Sequence, residues 1–413
     1  MKLVRLMNFP AHYQAHYFAA RPDVEGQSYD VLRRALFDDA FSFGDAWEGA
    51  LRDEGLDAVD IPFGVPQLDR AFARDVGLPA MGPLETAIAQ LRKHQPEVLY
   101  LSSLESWTPE DIIALRQSVP SIRGVLGMAG IDISYSPSLR EVDVFLTCIR
   151  NQATRLREGG MEASFMAHAF DPRVLTRLEE VPREGFKFLG GFVSGPHYHD
   201  ERRIILEGLV HRCGLEIYSD GGHRASQSLS RYLAQTAAFA VGRTLRLVPA
   251  SYGLVPFGDK LRQAGEWEHP PRPPGRPLPA KALHPPLYGM EMYRGLNATR
   301  LSINIHSGAS GAFGANMRLF EATGAGVCLM ADAKADLHEF FEPGEEVVEF
   351  SGLEDAVRKA TELLADPARM EEIGARGRRR ILRDHTYAHR APVVARAALT
   401  ALEMGTRRRG APR

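Results

Sequence analysis

The chain has 413 residues, which is too long for one ordinary hydrophobic core, so two domains of roughly 200 residues are expected. Hydrophobic residues make up 44% and charged residues 25%, values of a globular protein that argue against a disordered or fibrous chain. The net charge of −2 lacks the basic excess with which proteins neutralise phosphates, so no nucleic-acid partner is expected.

The three cysteines, Cys148, Cys213 and Cys328, are far apart and lie in apolar or strand-like contexts. An odd number at this spacing indicates reduced, buried thiols in a cytoplasmic protein, with no metal site among them. The sequence shows neither a signal peptide nor an apolar run long enough to span a bilayer. We therefore expect a soluble protein without a transmembrane segment.

The first part of the chain alternates buried strands with helices. It opens with an apolar strand at 3–7, and a helix at 84–93 precedes a buried strand at 98–101. Thr108 followed by Pro109 is typical of a helix start. The later elements of this series are strands at 122–126, 142–147 and 163–166 and a helix at 151–158.

A second series of the same kind begins with a strand at 186–192. The proline-dense segment 268–286 interrupts it and is predicted to be an ordered surface loop, since proline suits neither helix interiors nor central strands. The other predicted elements are strands at 215–218, 301–306 and 327–330 and helices at 201–211, 316–323, 353–365, 368–383 and 387–404. This alternation predicts an α/β protein with parallel sheets that carry helices on both faces.

A glycine-rich stretch at 307–316 joins an apolar strand to a helix and reads Ser-Gly-Ala-Ser-Gly-Ala-Phe-Gly-Ala-Asn. Glycines before a helix N-terminus let backbone N–H groups approach an anion, and the helix dipole favours negative charge there. Arg318, in the first turn, adds a full positive charge, and Glu321 on the same helical face is suited to accept ribose hydroxyls. The alternative is a plain tight turn followed by a surface ion pair.

Residues 316–329, Asn-Met-Arg-Leu-Phe-Glu-Ala-Thr-Gly-Ala-Gly-Val-Cys-Leu, resemble the donor-binding helix and following strand of group-1-type GT-B glycosyltransferases. They are most similar to the branch related to the spore-maturation protein CgeB. The resemblance continues in order through about 284–400 and is weaker at 130–132 and 168–172. It implies two Rossmann-like domains facing across a cleft. Their predicted segments are an acceptor domain at 1–180, a nucleotide-sugar domain at 185–385, a closing helix at 386–404 that returns to the first domain, and a flexible basic tail at 405–413.

The resemblance further implies transfer of a sugar, a hexose by class, from a nucleotide-diphosphate donor to an unidentified glycan, protein or small-molecule acceptor. The implied donor-binding residues are Ser307, Gly311, Gly314, Asn316, Met317, Arg318, Glu321, His197, Arg202 and Arg203. The adjacent arginines point about 100° apart on a helix, so at least one of them is expected on a solvated face. Many group-1 members carry a second glutamate eight positions before the residue that matches Glu321. Phe313 stands there instead, so the contact with the donor sugar differs.

No metal or other cofactor is expected. His197 and His199 alternate like metal ligands, but no third ligand of suitable spacing is near them in the sequence. No Asp-X-Asp pair appears either. Arginines and the helix dipole would then stabilise the leaving diphosphate.

A catalytic base would come from the first domain, at the carboxyl ends of its strands. Asp132 follows one such strand and matches a position where the family often has an acidic residue, although a turn or N-cap role is the alternative. His12 and His16 follow the first strand and are placed for proton transfer or acceptor contact. The alternative to a functional role is that both are partly buried histidines held by hydrogen bonds.

Three other functions compete with this interpretation. A nucleotide-sugar epimerase of the same fold needs carboxylates beside the sugar, which Phe313 does not favour. A non-catalytic relative would only bind nucleotide or a partner protein. A nicotinamide-dependent oxidoreductase needs a glycine-rich fingerprint after the first strand, where residues 8–12 read Asn-Phe-Pro-Ala-His, so this class is set aside.

Overall fold

The computed structural model describes most of the chain. The described residues are 1–24, 26–42, 44–192, 200–219, 229–248, 255, 257–265, 270–271, 277–306, 313–314 and 316–410.

Six parallel strands form the first sheet: β1 (Lys2–Asn8), β2 (Asp57–Phe63), β3 (Val98–Leu101), β4 (Gly124–Ala129), β5 (Val144–Thr147) and β6 (Ala163–Phe165). Their spatial order is β2-β1-β3-β4-β5-β6. The helices in the same part of the chain as this sheet are α1 (Ala11–Ala19), α2 (Tyr29–Asp38), α3 (Ala46–Asp53), α4 (Pro66–Asp75), α5 (Pro83–His94), α6 (Pro109–Ser118) and α7 (Arg150–Glu158). All residues of β3, β4 and β5 are buried, as expected for central strands covered by helices on both faces.

The second sheet also has six parallel strands: β7 (Glu184–Leu189), β8 (Glu216–Tyr218), β9 (Leu283–His284), β10 (Thr299–Asn304), β11 (Cys328–Asp332) and β12 (Val348–Phe350). Their order is β12-β11-β10-β7-β8-β9. The helices that follow the first sheet are α8 (Asp200–Cys213), α9 (Leu229–Leu245), α10 (Gly258–Gly265), α11 (Gly289–Asn297), α12 (Met317–Gly324), α13 (Leu337–Phe340), α14 (Gly352–Leu364), α15 (Pro367–Asp384) and α16 (Tyr387–Gly410). Two Rossmann-like halves thus follow each other along the chain.

The proline-dense segment is not a loop over all of its described part. Leu283 and His284 form the short edge strand β9, which pairs with β8. Neither residue is a proline, so both N–H groups are available for pairing at the sheet edge. The prediction of a loop throughout 268–286 is therefore wrong at this end.

The last helix, α16, leaves the second sheet and packs against β4 and α3 of the first. Its buried side chains, including Val394, Ala398 and Ala401, join the same apolar cluster as Trp47 and Leu126. The helix continues to Gly410, so most of the predicted flexible tail is helical. The reason is packing: a side chain on Gly405 would collide with the Arg123 carbonyl, which shows that the helix still touches the first sheet there.

We expect Gly124→Ala to destabilise the protein by about 1–3 kcal/mol through overpacking. A Cβ at Gly124 would lie 2.6 Å from the backbone carbon of Ala401, and neither backbone segment can move without disturbing α16. Urea unfolding measures the effect. Gly130→Ala is the matched control, because a Cβ there meets no atom within 4 Å. Equal midpoints for the two variants would contradict the tight contact.

All three cysteines are free thiols. Cys328 is buried as predicted, but Cys148 and Cys213 are only partly buried, so the prediction of burial is wrong for these two. Cys213 ends α8, where its Sγ lies 3.9 Å from the Thr361 hydroxyl at the protein surface. Across the described ranges, every helix is too short or too polar to cross a membrane.

Candidate functional site

A cavity of about 600 Å³ opens between the carboxyl ends of the two sheets. Asn8 ends β1 and Ser103 follows β3, the neighbouring strands where the order of the first sheet reverses. Gly190 follows β7 and Ile305 follows β10, which mark the same reversal in the second sheet. Open α/β sheets bind ligands at these switch points, and the volume is that of a small-molecule site.

Helix α1 brings one of the two predicted histidines into the cavity. Tyr13 and Tyr17 form its buried face, so His12 and His16 lie one turn apart on the exposed face. His12 lines the cavity, with its ring centroid 5.6 Å from that of Tyr288 in the other half of the chain. The Nε2 atom of His16 instead lies 3.3 Å from the Glu291 carboxylate, outside the residues that line the cavity.

Asp132 lies beyond the end of β4 but is not among the described residues that line the cavity. Its Oδ1 accepts hydrogen bonds from the Ser134 N–H at 3.0 Å and the Ser134 hydroxyl at 2.7 Å, and its Oδ2 pairs with Arg155. Partial burial opposes ionisation, but these hydrogen bonds outweigh it and lower the pKa of Asp132. The geometry is that of the alternative turn role, and a carboxylate so stabilised is a weak proton acceptor.

Helix α12 begins as predicted, with the Asn316 side chain accepting a hydrogen bond from the Leu319 N–H at 3.1 Å. Asn316, Met317, Arg318 and Glu321 all line the cavity.

The Arg318–Glu321 pair belongs to the cavity wall and is not a surface ion pair. Arg318 Nη1 lies 3.0 Å from Glu321 Oε2, and the Glu321 side chain is only 7% exposed. Burial raises the pKa of Glu321, while Arg318 and a hydrogen bond from Tyr293 act against that rise. Arg318 also contacts the Met292 sulfur. The wall therefore presents a partly desolvated carboxylate beside a guanidinium.

Arg202 is the member of the arginine pair that reaches the cavity. On α8, its Nη1 donates to the Gly191 carbonyl at 3.2 Å and its Nη2 to the Ile305 carbonyl at 2.6 Å. Its Nε is buried and has no hydrogen-bond partner within the described ranges. Arg203 pairs with Glu207 at 3.6 Å and does not line the cavity, as expected for one of two adjacent helical positions.

The glycine-rich turn is described only in part. Ser307, Gly311 and His197 lie outside the described residues. The Gly314 N–H donates to the Asp336 carboxylate at 2.9 Å, so it is not available to an anion. A Cβ on Gly314 would lie 2.6 Å from His306 Nε2, which indicates that glycine is needed there for close packing. In this arrangement the Gly314 N–H does not form the predicted anion contact, and a role of Gly314 in donor binding stays a prediction.

Sequence reasoning missed two aromatic residues of the cavity wall, Phe41 and Tyr288. Phe41, Tyr218 and Tyr288 line it together with His12. Phe41 stacks on Tyr13 with ring centroids 3.7 Å apart, which fixes the wall on the side of the first sheet. Phe41 and Tyr288 lie in separate loops and Tyr218 ends β8, so no local pattern in the sequence brings them together.

No group of three or more His, Cys, Asp or Glu side chains gathers as metal ligands would within the part of the chain that is described. Of the described side chains in the cavity wall, Arg202, Arg318 and Glu321 are charged, and His12 lies on the opposite side.

Comparison with known proteins agrees with this architecture. Residues 243–395 match the model of a family described as glycosyl transferase-like. The crystal structure of HepE from Anabaena in complex with UDP-glucose aligns with 96% of this chain and 98% of its own, at 10% identity and a TM-score of 0.51. The chain has the GT-B fold.

A second similar structure is AviGT4, a glycosyltransferase involved in avilamycin A biosynthesis. It covers 97% of this chain and 98% of its own, at 15% identity and a TM-score of 0.50. No curated protein matches the chain in sequence. The predicted fold class of two Rossmann-like domains in a GT-B arrangement is thus confirmed.

Proposed function

We propose that the protein transfers a sugar, a hexose by class, from a nucleotide-diphosphate donor to an acceptor hydroxyl. The observation that carries this proposal is the Arg318–Glu321 pair in the wall of the interdomain cavity. A desolvated carboxylate binds ribose hydroxyls through charge-assisted hydrogen bonds, which are about twice as strong as neutral ones. The glycosyl transferase-like match over 243–395 includes this helix and supports the same assignment.

Two arginines would stabilise the departing nucleoside diphosphate. As the bond between the anomeric carbon and the diphosphate oxygen breaks, negative charge develops on that oxygen. Arg202 and Arg318 line the second-sheet side of the cavity and are oriented before the reaction by backbone and side-chain contacts. Preoriented donors of this kind stabilise developing charge at little reorganisation cost.

The acceptor would enter from the first sheet, where His12 is the titratable side chain that lines the cavity among the described residues. We propose that His12 takes the proton of the acceptor hydroxyl as the new glycosidic bond forms. Phe313, which replaces a glutamate of many group-1 enzymes, leaves the donor sugar to be held by other groups. A relation to the CgeB branch in particular remains part of this proposal.

A thermal-shift screen with nucleoside diphosphates tests the donor site directly. A ligand that binds only the folded state stabilises it by about 2.7 kcal/mol at 100 times its dissociation constant, so one base should raise the melting temperature clearly. The matching nucleotide sugar should then release nucleoside diphosphate when an acceptor is present. Interconversion of sugar epimers from donor alone would instead support the epimerase. Binding without turnover or hydrolysis would support a non-catalytic relative.

We expect transfer to proceed without a divalent metal. The positive charges of Arg202 and Arg318 already lie at the cavity wall, where the diphosphate is proposed to bind. Activity measured in excess chelator should stay largely intact. Complete loss, restored by magnesium or manganese, would contradict the proposed role of the arginines.

A further inference from the structure

A second cavity, of about 410 Å³, lies at the opposite edge of the second sheet, where the strands begin. Arg183 precedes β7, Arg300 is the second residue of β10, and Cys328 is the first residue of β11. All three line this cavity, as does Arg378 of α15. Its position separates it from the cavity at the carboxyl ends of the same strands.

The charge of this second cavity is strongly positive. Among the residues that the structure describes, three arginines line it against a single carboxylate, Glu371: they are Arg183, Arg300 and Arg378. Within the described residues, Arg300 has neither an ion pair nor a side-chain hydrogen bond. Burial lowers the pKa of Arg183, and the charge of Arg378 lowers it further, so the two guanidiniums repel each other in a poorly hydrated setting. An anion would relieve this repulsion.

The arginines are held in place by the end of α12. Arg183 donates from Nη2 to the Ala325 carbonyl at 2.9 Å and from Nη1 to the Gly326 carbonyl, and Arg378 also donates to Ala325. Cations are favourable at the carboxyl end of a helix, which accounts for these contacts. This helix-end effect does not account for Arg300. Nor does it account for the Arg378 Nε, which is buried without a hydrogen-bond partner among the described residues.

Gly326 shapes the cavity beside Arg378. Its φ of +76° lies in the left-handed region that favours glycine, and a Cβ there would lie 2.6 Å from the Arg378 Nε. The guanidinium therefore lies against bare backbone, with its Nε held at the cavity wall. A guanidinium fixed in this way at a cavity wall suits the recognition of a phosphate group.

We propose that this second cavity binds a small phosphorylated metabolite, with Arg300 and Arg378 as the ligands of its phosphate group. The volume falls within the range of about 300–1,000 Å³ that is typical of small-molecule sites and exceeds the need of a bare phosphate ion. The site lies outside the proposed transfer reaction, because its residues are at the strand ends that face away from the donor cavity.

Calorimetric titration with glucose 6-phosphate tests the proposal. Arg300→Gln should raise the dissociation constant about tenfold or more, since it removes one charge-assisted contact from an exposed side chain that supports no other residue. Arg379→Gln is the matched control: it removes the same charge from an exposed neighbour on α15 that does not line the cavity. Equal affinities of the two variants, or no binding to the wild type, would overturn the proposal.

Two further arms separate this site from the donor cavity and from simple ion binding. Arg318→Gln should leave glucose 6-phosphate binding unchanged, and loss of binding in that variant would place the ligand in the donor cavity and overturn the proposal. Inorganic phosphate should bind more weakly than glucose 6-phosphate. Equal affinity for the two would contradict recognition of a metabolite.

Discussion

Replacing Glu321 with alanine weakens the binding of the preferred nucleoside diphosphate by roughly tenfold to a hundredfold. A hydrogen bond to a charged group contributes about 1.5–3 kcal/mol, which corresponds to this range of affinity. The Glu321 carboxylate is buried in the cavity wall and is oriented by Arg318 at 3.0 Å, so no water replaces it well. Calorimetry with the nucleotide measures the loss. Glu321→Gln keeps the shape of the side chain and loses its charge, so its nucleotide affinity should lie between those of the alanine variant and the wild type.

The control for this series is Glu291→Gln, which removes a glutamate that pairs with His16 outside the lining of the donor cavity. Its affinity should equal that of the wild type. An unchanged dissociation constant in Glu321→Ala would remove the main support for the proposed function.

The same carboxyl group predicts a pH dependence of nucleotide binding. Burial raises the pKa of Glu321 above its ordinary value of about 4.3, so protonation begins at a higher pH than in an exposed glutamate. The neutral acid accepts hydrogen bonds less well, and affinity should therefore fall as the pH drops through the raised pKa. Glu321→Gln should lack this part of the profile, because it has no proton to gain there.

Replacing His12 with glutamine lowers turnover by roughly 10²–10⁴-fold, the contribution usual for a general base. Glutamine can still form hydrogen bonds but cannot take up the acceptor proton at neutral pH. Nucleotide affinity should stay near that of the wild type, because Arg202, Arg318 and Glu321 belong to the other side of the cavity. Steady-state rates at saturating donor, combined with nucleotide titration, separate the two effects.

His16→Gln is the matched control for His12, since it makes the same change one turn later on the same helix, outside the cavity lining. Asp132→Asn should also keep nearly full turnover, because its carboxylate is held in a turn by Ser134 and Arg155. If Asp132→Asn abolishes turnover of a folded protein while His12→Gln does not, the base is Asp132 and the assignment of His12 is wrong.

The fold class could be predicted from the sequence because its evidence is local. The cap at Asn316 and the spacing of Arg318 and Glu321 follow from helical geometry alone. Pairs between distant segments could not be predicted in this way. Arg5 lies within the run predicted as an apolar strand, yet it is fully buried in an ion pair with Asp60 at 2.8 Å. Asp60 belongs to β2, a strand that is not among the predicted elements.

In the candidate site, too, local features could be predicted and contacts between distant segments could not. Helical periodicity indicates that one of Arg202 and Arg203 faces solvent, but only the packing of α8 against the loops after β7 and β10 decides which. The sequence around Asp132 is equally typical of a turn and of a catalytic loop. Its partner Arg155 is 23 residues away on α7, so the structure was needed to distinguish the two roles.

The return of α16 to the first sheet has a consequence for biosynthesis. As the chain leaves the ribosome, β1 to β6 are complete by residue 165, but the helix that covers Gly124 and Leu126 begins only at Tyr387. On the order of 220 residues, 166–386, separate the two. At about 5–20 residues per second, apolar surface of the nascent first half stays uncovered for roughly ten to forty seconds. A nascent chain of this kind is a natural client for chaperones, and termination before Tyr387 would damage the half of the protein that was synthesised first.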